Sequence, residues 1–457
     1  MGKGILIILP PNVGSIIKKL QNAGFDAYAV GGCVRDVLLG KTPHDWDITT
    51  DAKPNEVKKL FRRTIDTGIQ HGTVTVMIKD EAGKLTGYEV TTYRIDGEYE
   101  DSRHPKEVTY TADLKEDLRR RDFTINAMAY NDRSGLIDIF GGKKDLEEQI
   151  IRAVGDPAER FSEDALRILR AYRFAAQLGF RIEAATVLAA SGLKENLLNI
   201  SAERIQAEFT KLICSPHPEI LYDMHLNGIS SVILPELDLC METEQKNKHH
   251  LYTVGEHTIK AMIVNAKYSG VDFDGETLKY IRYAILFHDF GKPEVMTEDE
   301  SGSRHFKGHA EASVKIAKSI MKRLKLDNNT INMVCALVKW HDFRPVAERK
   351  SVRKAVNKVG EDVFRLLFSI RIADTLAQSM YHRQEKLAYE KSIMQIYKEI
   401  IEDKDPITLK DLAVTGSDLI AHGYRPGPAI GEKLNELLNI VLEDPSCNSK
   451  EILLSKI

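Results

Sequence analysis

Residues 28–51 read YAVGGCVRDVLLGKTPHDWDITTD, and this stretch sets the expectation for the N-terminal part of the chain. The apolar start, AYAV at 27–30, is the signal of a buried strand. Gly31-Gly32 lets the backbone turn and approach a ligand with no Cβ in the way. VRDVLLG then reads as a short helix with Gly40 suited to its C-terminal cap. A strand, a glycine turn and a helix start present backbone N–H groups to phosphate, and Arg35, one turn into that helix, adds charge to the same group. Asp45 and Asp47 flank Trp46, so on a strand their carboxylates share one face while Trp46 and Ile48 point to a core. Neighbouring carboxylates repel unless a cation joins them, and Mg²⁺ takes oxygen ligands and substrate phosphates together. The joint expectation is a nucleoside triphosphate on the glycine turn and two Mg²⁺ on Asp45 and Asp47, the apparatus of in-line nucleotidyl transfer. Glu89, in YEVTTYR, is the candidate third carboxylate, on a predicted strand with Val90 facing the other way. Taken singly, the glycines also fit a plain tight turn, and Glu89 a solvated strand end.

At 457 residues the chain exceeds one ordinary core and predicts roughly three to five domains or subdomains. Hydrophobic residues at 43% and charged residues at 29% describe a soluble globular chain. A net charge of -3 means that any surface for nucleic acid is local. Cys33, Cys214, Cys240, Cys335 and Cys447 lie far apart with no paired spacing, which argues for reduced thiols and a cytoplasmic protein. The apolar run before Pro10-Pro11 is too short for a membrane span and lacks a signal-peptide cleavage site, so no membrane partner is expected.

Further along, RRRDFTINAMAY (119–130), RFSEDALRILRAYRF (160–174) and ERIQAEF (203–209) follow in order. With GGCVRDVLLG, DWDI and YEVTTYR they resemble the class II tRNA nucleotidyltransferases, the CCA-adding enzymes, which belong with bacterial poly(A) polymerases to the polymerase-β-like superfamily. The resemblance covers roughly residues 25–215. It implies an α+β protein: a polymerase-β-like nucleotidyltransferase head with a small mixed sheet (1–142), then mostly helical parts. These are a neck and body carrying the base template and tRNA contacts (143–245), an HD domain (246–375) and a tRNA-binding tail (376–457). The implied reaction is template-independent addition of C, C and A to the 3′ end of tRNA from CTP and ATP.

The resemblance also assigns residues. Arg121 would face phosphate, and Asp122 and Asn126 the ribose hydroxyls, while Phe123, Ile125 and Met128 read as core. Asp164 and Arg167 are three apart, so on a helix they share a face. A carboxylate accepts from an exocyclic amine and a guanidinium donates to an adjacent ring acceptor. Cytosine and adenine offer that pattern; uracil and guanine offer a carbonyl beside an N–H and would leave both side chains mispaired. An i,i+3 salt bridge between the two residues is the plain alternative. Arg160, Arg170 and Arg173 lie nearby, and some of them are expected to reach triphosphate or tRNA backbone; Glu163 is expected to support the helix or the arginine geometry, and Glu203 and Arg204 to brace a helix turn. IDGEYEDSRHPKEVTYTADL, between Arg94 and Lys115, reads as an irregular loop, with Asp101, Arg103 and Pro105 resembling the family's loop motif and implying A addition.

A second constellation lies downstream: His257, His288-Asp289, His309, His341 and Asp374, most of them in or beside apolar helical segments. A buried His-Asp doublet is costly unless something pairs it, and imidazole with carboxylate suits Mn, Fe, Ni, Co or Zn better than Mg. The set resembles the HD phosphohydrolases, which implies metal-activated water attacking a phosphoester; a scaffold that keeps the ligands without turnover is the alternative. GSDLIAHGYRPGPAIGEKLNELL (416–438) reads as two short helices framed by glycines, with Gly427-Pro428 at a helix start. Three rivals stay open on sequence: an A-adding enzyme or poly(A) polymerase, an HD phosphohydrolase whose head only binds nucleotide, and a non-catalytic RNA-binding protein.

Overall fold

The computed structural model describes residues 7–79, 83–97, 108–246, 248, 251–268 and 273–457. The chain separates into two compact units, Met1–Ile233 and Leu234–Ile457.

The first unit opens on a mixed sheet. Its strands are β1 (Ala27–Val30), β2 (Ile48–Thr50), β3 (Thr64–Gly68), β4 (Thr73–Lys79) and β5 (Leu85–Thr92), with β8 (Met128–Asn131) and β9 (Gly135–Asp138); β6 (Arg94–Asp96) and β7 (Val108–Tyr110) pair separately. The order is β3-β4-β5-β2-β1-β8-β9, with β2 and β5 parallel and the other pairs antiparallel. All four residues of β1 are buried, as a continuous apolar run in mid-sheet demands. Ile48 stands opposite Ala29 on one side and Val90 on the other. That register puts Asp47 and Glu89 next to each other, each one residue ahead of a paired position on two parallel strands.

The helices of this unit are α1 (Pro11–Asn22), α2 (Gly32–Leu38), α3 (Pro54–Leu60), α4 (Leu114–Arg119), α5 (Gly142–Glu147), α6 (Pro157–Glu163), α7 (Leu166–Leu178), α8 (Ala184–Gly192), α9 (Ala202–Ile213), α10 (Ile220–Leu226) and α11 (Ser230–Ile233). In α1 the apolar stripe Val13, Ile16, Ile17 and Leu20 has helical spacing and is buried to the last residue. α7 is buried nearly all round and runs against α9. Three sequence expectations are corrected here. EDALRILRAYRF is not one helix: the chain breaks at Asp164 (φ -140, ψ 102), whose carboxylate accepts the Leu166 N–H at 3.1 Å and so caps the start of α7. Asp164 and Arg167 therefore do not share a helix face. Asp45 and Asp47 also stand in the lead-in to β2 rather than inside it, since the strand begins at Ile48. The polar stretch after Arg94 is less irregular than expected, because β6 and β7 form a hairpin stem; Asp101, Arg103 and Pro105 lie outside the described residues.

The second unit is helical: α12 (Pro235–Glu242), α13 (Val254–Tyr268), α14 (Gly275–Phe287), α15 (Lys292–Val295), α16 (His309–Arg323), α17 (Asn328–Trp340), α18 (Arg349–Val359), α19 (Glu361–Ala377), α20 (Arg383–Glu402), α21 (Gly416–Ala421), α22 (Pro428–Glu443) and α23 (Lys450–Leu454). α19 is apolar on most sides and packs against α13, α14, α17 and α20, which makes it the axis of the unit. The tail folds around its own core of Leu419, Leu437, Leu438, Val441 and Leu453. Its second helix has 16 residues and not a short span, because Leu437, Leu438, Val441 and Leu442 continue the buried stripe. Among the described residues no helix is long and apolar enough to cross a membrane, and all five cysteines are free thiols.

Candidate functional site

Local backbone chemistry places the head's acidic groups. β1 hands on to β2 by a hydrogen bond from Val30 N to Asp47 O at 3.0 Å. Asp45 and Asp47 are exposed, while Ile48 beside them is buried and Trp46 is half-buried. Burial of its surroundings raises the Asp47 carboxyl, Arg121 opposes this and the charge of Asp45 adds to it. Glu89 is raised by burial and then by Asp47 and Asp45. The three carboxylates thus load one another with negative charge, and an all-oxygen donor set of this kind fits a hard divalent cation.

Gly31 is needed where it stands. Its φ of +84 belongs to the left-handed region, and a Cβ there would meet Arg121 Nη1 at 2.9 Å. Arg121 is held under the sheet by Asp117, fully buried, which accepts Arg120 Nη2 at 2.7 Å and Thr49 Oγ1 at 3.0 Å and lies 3.7 Å from Arg121 Nη2. Beyond Arg121 runs a chain of paired charges. Arg35 Nη1 donates to Asn126 Oδ1 at 2.7 Å, and Asn126 Nδ2 donates to Asp122 Oδ1 at 3.1 Å. Asp122 Oδ2 accepts Arg170 Nε at 2.8 Å and Nη2 at 2.6 Å. Burial alone would raise Asp122, but Arg170 and the Asn126 amide overcome it and hold the carboxyl down at about 2. Glu208 from α9 takes Arg173 Nε at 2.6 Å, with Arg170 Nη1 at 3.7 Å. Phe123, Ile125 and Met128 are fully buried, as expected of core.

A pocket of about 260 Å³ opens beside this chain, with Arg121, Asp122, Asp164, Arg167, Arg170 and Arg204 in its lining. Asp164 pairs with Arg204 Nη2 at 2.8 Å, and Arg167 donates to Glu163 Oε2 at 2.5 Å and to the Arg120 carbonyl at 2.9 Å. The i,i+3 salt bridge is therefore not what occupies them, and Glu163 supports the arginine as expected. Arg160 turns to Glu163 and to the Arg119 carbonyl at 3.3 Å, and Arg173 to Glu208, so neither reaches the pocket lining. Sequence reading passed over Asp117, Arg120 and Glu208, and it took Arg204 for a brace. The signals available were Asp117 in α4, three and four residues ahead of the two arginines that follow that helix, and an Arg-x3-Glu pair on one face of α9.

The second unit brings all six residues of the second constellation together from different helices: His257 on α13, His288-Asp289 at the end of α14, His309 at the start of α16, His341 at the end of α17 and Asp374 on α19. His257, His288 and Asp289 offer ligand atoms within 4.8 Å of one another, and so do Asp289, His309 and His341. Asp289 is shared, with Oδ2 at 3.2 Å from His288 Nε2 and Oδ1 at 3.4 Å from His309 Nε2. His257 Nε2 lies 3.0 Å from Asp374 Oδ1. The tautomers follow from the backbone: His288, His309 and His341 each give Nδ1–H to the carbonyl three residues earlier, at 2.7, 3.0 and 2.6 Å, which turns the Nε2 lone pairs inward. Burial and the neighbouring His288 push His341 down to about 3, so it is neutral at pH 7, the form that binds metal. His309 Nε2 and His341 Nε2 then face each other at 3.2 Å as two lone pairs, an arrangement a shared cation resolves. Donors and geometry fit a transition metal. Lys292, which sequence reading passed over, sits 2.7 Å from Asp289 Oδ2 and 2.8 Å from Gln245 Oε1. A cavity of about 400 Å³ beside the cluster carries Lys292, Phe306, Lys307 and Gln378 in its wall.

Three family models match successive stretches of the chain. Residues 27–152 match the family model of the poly A polymerase head domain, residues 179–241 the model described as "Probable RNA and SrmB- binding site of polymerase A", and residues 307–457 that of tRNA nucleotidyltransferase domain 2. The chain is 36% identical over 445 residues to the CCA-adding enzyme of Enterococcus faecalis, covering 96% of this chain and 93% of that one. It is 35% identical over 443 residues to that of Limosilactobacillus fermentum, covering 96% and 94%. Among solved structures, Bacillus stearothermophilus CCA-adding enzyme in complex with CTP superposes with a TM-score of 0.71 at 28% identity, covering 98% of both chains. Thermotoga maritima CCA-adding enzyme complexed with tRNA_CCA shares the fold at a TM-score of 0.60 and 21% identity, covering 99% of this chain and 96% of that one.

Proposed function

The chain belongs to the CCA-adding enzymes, and from that premise we propose that it adds C, C and A to the 3′ end of tRNA from CTP and ATP, without a nucleic-acid template. One observation carries the assignment of residues: Arg121 stands between the glycine turn and the pocket. Its Nη1 lies where a Cβ on Gly31 would come within 2.9 Å, and it also lines the pocket that holds Asp164 and Arg167. A triphosphate lying along Arg121 spans the two.

In this reading Asp45, Asp47 and Glu89 hold the divalent cations, two Mg²⁺. When bound, they offset phosphate charge and favour the deprotonated hydroxyl of the tRNA end. That hydroxyl attacks the α-phosphate, and pyrophosphate leaves. Arg121 and Arg35 bind phosphate close to Gly31, where the missing Cβ leaves room. Asp122 and Asn126 meet the ribose, with Arg170 fixing Asp122. Asp164 accepts the exocyclic amine of cytosine or adenine and Arg167 donates to the adjacent ring acceptor, so uracil and guanine leave both mispaired. Arg160 and Arg173 hold Glu163 and Glu208 in place. The protein works in the cytoplasm, where tRNA and nucleotides are found. The test is extension of a tRNA ending at its discriminator base: CTP alone gives two added residues, ATP alone none, and both together CCA. An end left unextended by CTP, with A added only after CC, assigns the chain to A addition instead.

The His309–His341 contact favours a second activity in the other unit. His257, His288, Asp289 and Asp374, with His309 and His341 sharing Asp289, hold one or two ions of Mn, Fe, Ni, Co or Zn. Bound there, the metal supplies an activated water for phosphoester hydrolysis. Metal analysis of purified protein tests this without an assay of turnover: wild type retains transition metal and Asp289→Ala does not. Equal, substoichiometric metal in both leaves the cluster a scaffold.

A further inference from the structure

α9 contributes two charges to the nucleotide pocket, and they do different things. Glu208, buried, forms an ion pair with Arg173 at 2.6 Å and stands 3.7 Å from Arg170, so it ties α9 to α7 as a brace would. Arg204, one turn earlier, reaches instead to Asp164 at the break between α6 and α7. Among the described residues its side chain has one hydrogen-bond partner, Asp164, at 2.8 Å. Its other terminal nitrogen, Nη1, is buried with no hydrogen bond.

Asp164 needs an outside hold more than its neighbours do. It sits at the break between α6 and α7 with non-helical φ and ψ, so no helix packing fixes its side chain. One oxygen accepts the Leu166 N–H at 3.1 Å; the other accepts Arg204. With Arg204 in place, both oxygens are aimed and each keeps a free lone pair. A carboxylate so held can accept an amine but cannot swing away from a carbonyl.

We propose that Arg204 is a specificity-determining positioning residue: it clamps Asp164 so that cytosine and adenine are accepted and uracil and guanine are refused. This rests on the reading of Asp164 as the group that meets the base. Without the clamp Asp164 keeps only one main-chain donor, turns to relieve a facing carbonyl, and loses its ability to reject.

The experiment is extension of the same tRNA end with each of the four nucleoside triphosphates, by the full-length protein carrying Arg204→Met, Arg204→Lys or Asp164→Asn. Arg204→Met is expected to narrow the preference for CTP and ATP over UTP and GTP by about tenfold or more, with KM for CTP rising by more than kcat falls. Arg204→Lys, which keeps a charged donor for Asp164, regains most of the preference even if Arg204→Met folds poorly. If Arg204→Met and Arg204→Lys slow all four nucleotides by one factor while Asp164→Asn abolishes discrimination, the clamp is wrong and the base reading stands. Unchanged discrimination in Asp164→Asn overturns both.

Discussion

Asp47 and Asp289 both border apolar segments, one at the mouth of a strand and one at the end of a helix, and the chain treats them in opposite ways. Asp47 is exposed, keeps Asp45 and Glu89 for company and has its carboxyl raised. Asp289 is 2% exposed, ringed by imidazoles, and has an ammonium 2.7 Å away. Burial would raise it, yet His288 and Lys292 drive it well below the usual carboxylate range. The head gathers three carboxylates in the open with Arg121 only partly offsetting them, which suits cations that arrive with a nucleotide and leave with pyrophosphate. The histidine cluster is balanced from within and closed, which suits a resident metal. On the proposed function, the two acidic centres would differ in their relation to metal, transient at the head and resident at the histidine cluster.

The largest effect that could break this contrast is on the head. Asp47→Asn should cut nucleotide addition by roughly a thousandfold or more, the equivalent of about 4 kcal/mol of transition-state stabilisation, while metal bound at the histidine cluster stays unchanged; loss of that metal too would join the sites the contrast separates. Next, Asp289→Ala should release the resident metal and leave addition of C and A within about twofold of wild type by the same extension assay, since the residue lies in the other unit. Third, Arg170→Met strands a buried carboxylate: Asp122 is 8% exposed. The expected loss is about 3 kcal/mol in chemical denaturation, and Arg170→Met/Asp122→Asn together should recover part of it. Fourth, pH sharpens the same point. The folded Asp122 is held at about 2, below its ordinary value near 4. Its contribution is therefore fully present above about pH 4 and lost as pH falls towards 2, to the extent of about 2 kcal/mol. Asp122→Asn should flatten that acid limb of the stability curve. Smallest is Gly31→Ala, with about 1 kcal/mol of backbone cost at φ +84, and a raised KM for nucleotide as Arg121 is pushed aside.

How far the sequence could be read depended on the range of the interaction. β1, the Gly31 turn and the cap at Gly40 follow from adjacent residues, and each is where the pattern put it. The six residues of the histidine cluster were legible as residue types in apolar company, and the structure gathers them. The break at Asp164 was not legible, because helical propensity runs unbroken through EDALRILRAYRF. What ends α6 is a carboxylate captured from outside by Arg204, 40 positions along the chain. Asp117 and Glu208 look in sequence like solvated helix charges, yet both are buried, Asp117 beside Arg120 and Arg121 just after it and Glu208 beside Arg170 and Arg173 of α7. Lys292 likewise reads as a surface residue until α14 and α15 place it on Asp289.

The account stands most directly on one measurement: extension of a tRNA lacking its terminal CCA, with CTP and ATP, by wild type and by Asp45→Asn/Asp47→Asn protein at saturating Mg²⁺. It predicts complete CCA ends from wild type and none from the double variant, with the fold and the histidine-bound metal of both proteins alike. CCA ends made at comparable rates by the double variant would contradict it.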